Sequence, residues 1–305
     1  MAWQEPLTSY SDRLSPVFVR DLRQLLRSTL IVATFLILQA AALGMTGIEL
    51  VLSWISEGTI SGTFLSTALP TFLGVGFGLI IPLTALNALQ PELSRGRNVE
   101  LLLSSSLSRW QIVFGKWLTM TILSGLLLSS IAPFLTVRYY LGSVDLPQTA
   151  ALFFSVIATN ATMNAAVIGA SGFQNYLARG LTIFSFWMVL MITSSVNLAS
   201  LSMGSSLSSK IGALVSVPLC ATVVAVLGLQ IGRAKLKLFS TIENPASTGG
   251  IFALLFVFPI LQGVALASGG SVTVVILSIL WLVFAFLIDR GQRRSYRYPA
   301  TNEPG

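Results

Sequence analysis

Residues 150–172 read AALFFSVIATNATMNAAVIGASG. The run is 23 residues long and carries no ionisable side chain. A helix needs about 20 predominantly apolar residues to cross the hydrocarbon core of a bilayer, so this stretch is long enough to span one. Seven further runs of the same kind surround it, at about 29–48, 67–89, 115–137, 180–202, 211–231, 250–267 and 272–288. The whole chain agrees with them. Of its 305 residues 54% are hydrophobic and only 10% charged, where a soluble domain carries about 25% charged residues. Such a chain cannot cover a water-facing surface. The expected fold class is therefore an all-α integral membrane protein, a polytopic bundle of about eight transmembrane helices.

Composition also closes off several kinds of chemistry. Histidine is absent and Cys220 is the single cysteine. Histidine acid–base catalysis, a His/Cys metal site and an intrachain disulfide are excluded, so no metal and no catalytic residue is expected. No Ser, Asp or Glu within a span has an evident activating partner. The pI near 10.0 and net charge of +7 would suit a nucleic-acid partner, but charge placement accounts for them better. With the N-terminus cytoplasmic, eight spans return the C-terminus to the same side. Sixteen of the eighteen cations then lie inside, with only Arg138 and Lys210 outside. That is the positive-inside pattern, and nucleic acid is not needed.

The polar segments divide the chain into a cytoplasmic N-terminus (1–28), a transmembrane domain (29–288) and a cytoplasmic tail (289–305). The first span follows a long polar stretch and is read as a retained anchor rather than a cleaved signal. Outer loops are short, at about 49–66, 138–149, 203–210 and 268–271. The last is Ser268-Gly269-Gly270-Ser271, a tight turn between the two shortest runs. The inner segment 90–114 is the longest between consecutive spans.

In the N-terminal segment, Ser15-Pro16 forms a helix start, a hydroxyl cap followed by proline in the first turn. Phe18, Leu22, Leu25 and Leu26 then recur at helical spacing, with Arg20, Arg23 and Arg27 on the opposite side. This pattern predicts an amphipathic elbow helix in the headgroup plane, arginines toward lipid phosphate. An ordinary basic flank anchoring the first span is the alternative reading.

The polar content of the span interiors is amide and hydroxyl: Gln39, Asn87, Asn160, Asn164, Asn197, Gln230, Gln262, serines and threonines. Ion-coupled carriers usually keep a charge inside the bilayer, and here the interiors have none. Asn160 and Asn164 stand one helical turn apart on one face. They, with Asn197, are read as interhelical hydrogen bonding and packing or as the lining of a substrate path. Gly74, Gly76 and Gly78 suggest close helix contact. Pro70, Pro82, Pro133, Pro218 and Pro259 allow kinks whose freed backbone groups neighbouring helices must satisfy.

The inner segment and the foot of the third span, residues 91–118, read PELSRGRNVELLLSSSLSRWQIVFGKWL. Pro91 and Gly96 turn the chain away, and a short amphipathic helix follows from about Asn98. Glu92, Gly96, Glu100, Leu102, Leu103, Leu107, Ser108, Ile112, Gly115 and Lys116 make the segment resemble the permeases of the type-2 ABC transporter class. Those proteins carry an acidic–basic–glycine run, an E-x-L-L segment, Thr-Pro-Leu-Ser, and then an isoleucine and Gly-Lys at the third span. The spacing from glycine to glutamate is one residue longer here, and Ser105-Ser106 stands for Thr-Pro. SPVFVRDLRQLLRS (15–28) resembles the family's elbow helix, Pro133 and Leu141-Gly142 match the end of its third span, and RAKLKLFSTIENPAST (233–248) resembles an inner linker of its eight-span members.

The resemblance implies the membrane-spanning subunit of an ATP-driven exporter in a bacterial inner (plasma) membrane. It implies a second permease domain, identical or different, and a separate nucleotide-binding ATPase subunit that holds ATP and Mg²⁺. No phosphate-binding G-x-x-x-x-G-K-[ST] loop occurs in this chain. In that scheme residues 93–108 form the coupling segment, with Arg95, Arg97, Glu100, Leu102 and Leu103 the candidates for ATPase contact. A solvated or lipid-facing role for each charge is the alternative. A stand-alone carrier or channel, and a non-transporting membrane assembly factor, are the competing functions.

Overall fold

The computed structural model describes residues 22–23, 25–27, 29–55, 71–90, 109–140, 146–203, 207–236 and 245–294. The elements among them are helical: α1 (Thr29–Ile55), α2 (Thr71–Leu83), α3 (Arg109–Ser129), α4 (Ala132–Tyr140), α5 (Leu146–Ser171), α6 (Tyr176–Met203), α7 (Leu207–Leu236) and α8 (Pro245–Arg294). Six stretches are long and apolar enough to cross a membrane: Ile31–Ile48, Trp110–Phe134, Phe153–Ser171, Tyr176–Ser195, Val215–Lys235 and Gly249–Ala267. Thr71–Leu83 and Val272–Leu287 are apolar but shorter. The described residues thus give a helical bundle with six full-length candidates, against the eight spans expected.

Several expected boundaries move. Helix α3 begins at Arg109, so residues 109–114 of the inner segment 90–114 are helical and continuous with the third apolar run. Helices α5, α6 and α7 all begin before the apolar runs that marked them. Helix α2 loses regular geometry after Leu83, and residues 84–89 are a series of tight turns. The apolar run continued to 89, but periodicity alone does not report where a backbone tightens. Between α3 and α4 the helix breaks at Ser130-Ile131, because Pro133 has no N–H for the Ser129 carbonyl four residues back and its ring crowds that carbonyl.

Helix α8 runs for 50 residues by its hydrogen bonds, yet it folds back on itself. The Thr273 hydroxyl donates to the Ala265 carbonyl at 2.6 Å, and the Phe258 and Trp281 rings lie 5.9 Å apart. Along a straight helix those rings would be about 34 Å apart. The reversal falls at the Ser-Gly-Gly-Ser turn.

Helix α5 is the centre. Every residue from Thr162 to Gly172 is buried, and α5 contributes to all three apolar clusters. One joins it to α6, α7 and α8 around Phe186, Leu227 and Phe258. A second joins it to the end of α2, α3, α6 and α7 around Leu89, Val113 and Ile168. The third joins it to α1, α2 and α3 around Leu38, Phe77 and Ile131. The outside is apolar too. Ile37 of α1, Leu181 of α6 and Ile260 of α8 are 66%, 58% and 65% exposed, a surface suited to lipid rather than water.

Lipid tails are as apolar as leucine, so helices in a bilayer associate through close packing and hydrogen bonds rather than by escaping water. The α5–α7 seam shows how. A Cβ built at Gly169 would lie 2.3 Å from the Gly228 carbonyl oxygen, and one at Gly228 would lie 2.9 Å from the backbone of Ala165. Gly232 faces Gly169 in turn. The two backbones touch. Most hydroxyls are spent within their own helices, as in Thr119 to Gly115, Ser124 to Met120, Thr182 to Ala178 and Ser278 to Val274.

Candidate functional site

Amides and cations, by contrast, reach between elements. Gln39 donates to the Ser130 hydroxyl, Gln230 to the Ala285 carbonyl at 2.8 Å, and Gln262 to the Cys220 sulfur. Two clusters stand out beyond these single links.

The first is a bulge in α2. Gly76–Ile80 forms a π-helical turn, in which the Ile81 N–H donates to the Gly76 carbonyl five residues back. In that register the carbonyl of Phe77 would accept from residue 82. Residue 82 is proline and has no N–H. The orphaned carbonyl is taken by α5: the Asn160 amide donates to Phe77 O at 2.6 Å, in a buried setting. Asn164 orients that amide by donating to Asn160 Oδ1 at 2.9 Å. Asn160 therefore links two helices, whereas Asn164 bonds inside α5 and acts through its neighbour. Asn164 Oδ1 is buried without a hydrogen-bond partner. Gly76 and Gly78 admit Leu38 and Thr159 at 3.3 and 3.4 Å from their built Cβ positions, but Gly74 faces open space. The expected contact thus holds for two of the three glycines.

The second cluster lies where α2 and α5 end and α3 and α6 begin. Arg179, in the first turn of α6, is 2% exposed. Its Nε donates to Phe173 O at 2.6 Å and its Nη2 to Gln174 O at 3.4 Å. Its Nη1 donates to Asn87 Oδ1 at 2.8 Å, and Tyr176 covers one face at 4.7 Å. The guanidinium thus sits at the C-terminal end of α5, where unpaired carbonyls and the helix dipole favour a cation. Gln90 donates to Ser171 O at 2.7 Å and Phe173 O at 3.3 Å, while the Leu89 N–H donates to Ser171 Oγ. On the other side, Arg233 near the end of α7 lies over the Trp110 ring at 5.6 Å. Leu25 packs into the cluster that also holds Leu89 and Trp110.

This junction holds the last described residue before position 91, Gln90, and nearly the first after position 108, Trp110. The candidates Arg95, Arg97, Glu100, Leu102 and Leu103 lie outside the described residues, as does Arg20. Arg23 and Arg27 are exposed, while Leu22 and Leu25 beside them are partly buried. Asn197 lies in α6, its side chain outside the description. Sequence reasoning had placed Arg179 among the inner-loop cations and missed its burial, since Asn87 is 92 positions away. It also missed Gly228 and Gly232, although G-x-x-x-G in an apolar run is a packing signal. Among the described residues no group of three His, Cys, Asp or Glu could hold a metal.

Against known proteins the chain matches no family model, no curated protein and no solved structure.

Proposed function

We propose that this chain is the membrane-spanning subunit of an ATP-driven exporter of the type-2 ABC class. A separate ATPase binds ATP and Mg²⁺ and acts on the bundle through residues 93–108. The reading takes eight membrane-crossing helices, an elbow helix over 15–28, and both termini on the cytoplasmic side of a bacterial inner membrane. The residue pattern at 91–118 supports it, and so does the helical membrane fold.

One observation carries the mechanical part. The residues that bracket 91–108 are fastened to the Arg179 junction, which ties α2, α5 and α6 together, with Arg233 of α7 over Trp110. A push on the segment is delivered to several helices at once. Closure of the ATPase then tilts the spans from an inward-open to an outward-open arrangement, and a second permease domain supplies the other half of the path. The chain itself hydrolyses nothing.

Affinity purification of the full chain from its own membranes is the test. The expected result is co-purification of an ATPase, and loss of that ATPase when residues 96–106 are deleted while the bundle stays monodisperse. An ATPase retained by the deletion variant defeats the coupling role of the segment. Purified chain that moves solute under an ion gradient alone, without ATP, defeats the subunit reading and favours the stand-alone carrier.

A further inference from the structure

From Lys235, Phe173 and the first arm of α8 we infer a binding seat for one anionic phospholipid, a site independent of any ATPase partner. Lys235 lies in the last turn of α7, and its stem is packed on Gly172: a Cβ at Gly172 would meet Lys235 Cβ at 2.7 Å and Cγ at 3.0 Å. The backbone of Gly172 therefore sets the direction of the side chain. Its ammonium rests 4.5 Å from the centre of the Phe173 ring. A lysine held against an aromatic face keeps its N–H donors for a further acceptor.

The apolar part of the seat begins at the same ring. Phe173 lies 6.3 Å from Phe252 of α8. From Phe252 an apolar column continues at four-residue spacing through Phe256, Ile260 and Val264, which are 48%, 65% and 59% exposed. Each step turns the column by about 40° around the helix, so successive side chains stay adjacent along a shallow winding path. One turn before Phe252, Gly249 and Gly250 are exposed, and among the described residues no atom lies within 4 Å of a Cβ built at either. There is room for a glycerol backbone. Phe252 to Val264 spans about 18 Å of helix, a little more than one leaflet's share of a hydrocarbon core of about 30 Å. A directed cation, open space and an apolar column of acyl-chain length follow one another in the order of a phospholipid's own parts.

Charge selects the headgroup. The charged side chains described at this end of α7, Arg233 and Lys235, are both cations. A headgroup with net negative charge is drawn to them, whereas a zwitterionic one presents them with an attractive and a repulsive pole together.

The test uses the full chain in vesicles of phosphatidylglycerol and phosphatidylcholine, with a benzophenone-bearing residue in place of Ile260. The same residue in place of Ile37 on α1 reports ordinary boundary lipid. At position 260 phosphatidylglycerol is expected to crosslink about fivefold in preference, the selectivity of one interfacial cation, with no preference at position 37. Lys235→Gln lowers the ratio at 260 to that at 37, and Lys235→Arg retains it, which separates the charge from a folding defect. Equal crosslinking of both lipids at 260, or a preference that survives in Lys235→Gln, overturns the seat. So does a preference erased by millimolar inorganic phosphate at matched ionic strength, because the occupant is then a free anion and not a lipid.

Discussion

Helices α2 and α7 both pack on α5, and they are held there by different physics. The α7 seam is glycine against backbone, with a built Cβ at Gly169 only 2.3 Å from Gly228 O. Its strength is dispersion over a contact that admits no extra atom. Helix α2 carries a π turn and a proline, and a directional bond from Asn160 closes the gap that the proline opens. A close-packed seam has one arrangement, whereas a bulged helix held by amides can exchange its partners. In the proposed exporter α7 belongs to the fixed frame and α2 to the part that moves.

The contrast breaks most visibly at the seam. Gly169→Leu forces α5 and α7 apart and should cost about 3 kcal/mol or more, at or beyond the upper end of overpacking penalties. Loss of the monodisperse peak after mild heating in detergent reads it. An unchanged melting profile removes the seam from the argument. Next comes Arg179→Gln, which strips charged hydrogen bonds from Phe173, Gln174 and Asn87. A loss of about 2 to 3 kcal/mol is expected, seen as earlier thermal aggregation; less than about half a kcal/mol means that water replaces the guanidinium.

Asn160→Leu leaves the Phe77 carbonyl buried without a donor, at a cost of about 1 to 2 kcal/mol by steric-trap unfolding in bicelles. The finer question is whether the amide stands in for the missing proline N–H. In a Pro82→Ala background the restored N–H competes for Phe77 O, so Asn160→Leu should cost less there, with a coupling of about 1 kcal/mol in the double-mutant cycle. Strict additivity refutes the substitution of one donor for the other. The smallest effect belongs to Gly74→Ala, within about half a kcal/mol of wild type, since nothing lies near its Cβ. A large loss there would show that α2 packs more tightly than described.

Much of this arrangement was legible in the residues, for reasons that differ by element. The apolar runs located the long helices, because hydrocarbon thickness imposes a length, and six of them are long and apolar enough to cross a membrane among the described residues. The pair Asn160 and Asn164 was marked by periodicity, and Pro82 by its missing donor, but not that one answers the other 78 positions away. The hairpin within α8 was readable from Ser268 to Ser271. Arg179 was not, because a cation near a span end looks the same in sequence whether it meets water, phosphate or a helix terminus. The early start of α3 was hidden for a related reason: Arg109 and Lys116 interrupt the hydropathy without interrupting the helix, and Lys116 is only 9% exposed.

Cys220 is 1% exposed, enclosed by α7 and α8 beside Gln262 and Ser278. Its thiol is shielded from water-soluble maleimides, so the native chain already serves as a silent background for labelling. A reporter cysteine at Ser105, Ser206 or Ser295 can be read from either side of the membrane without first engineering the natural one away.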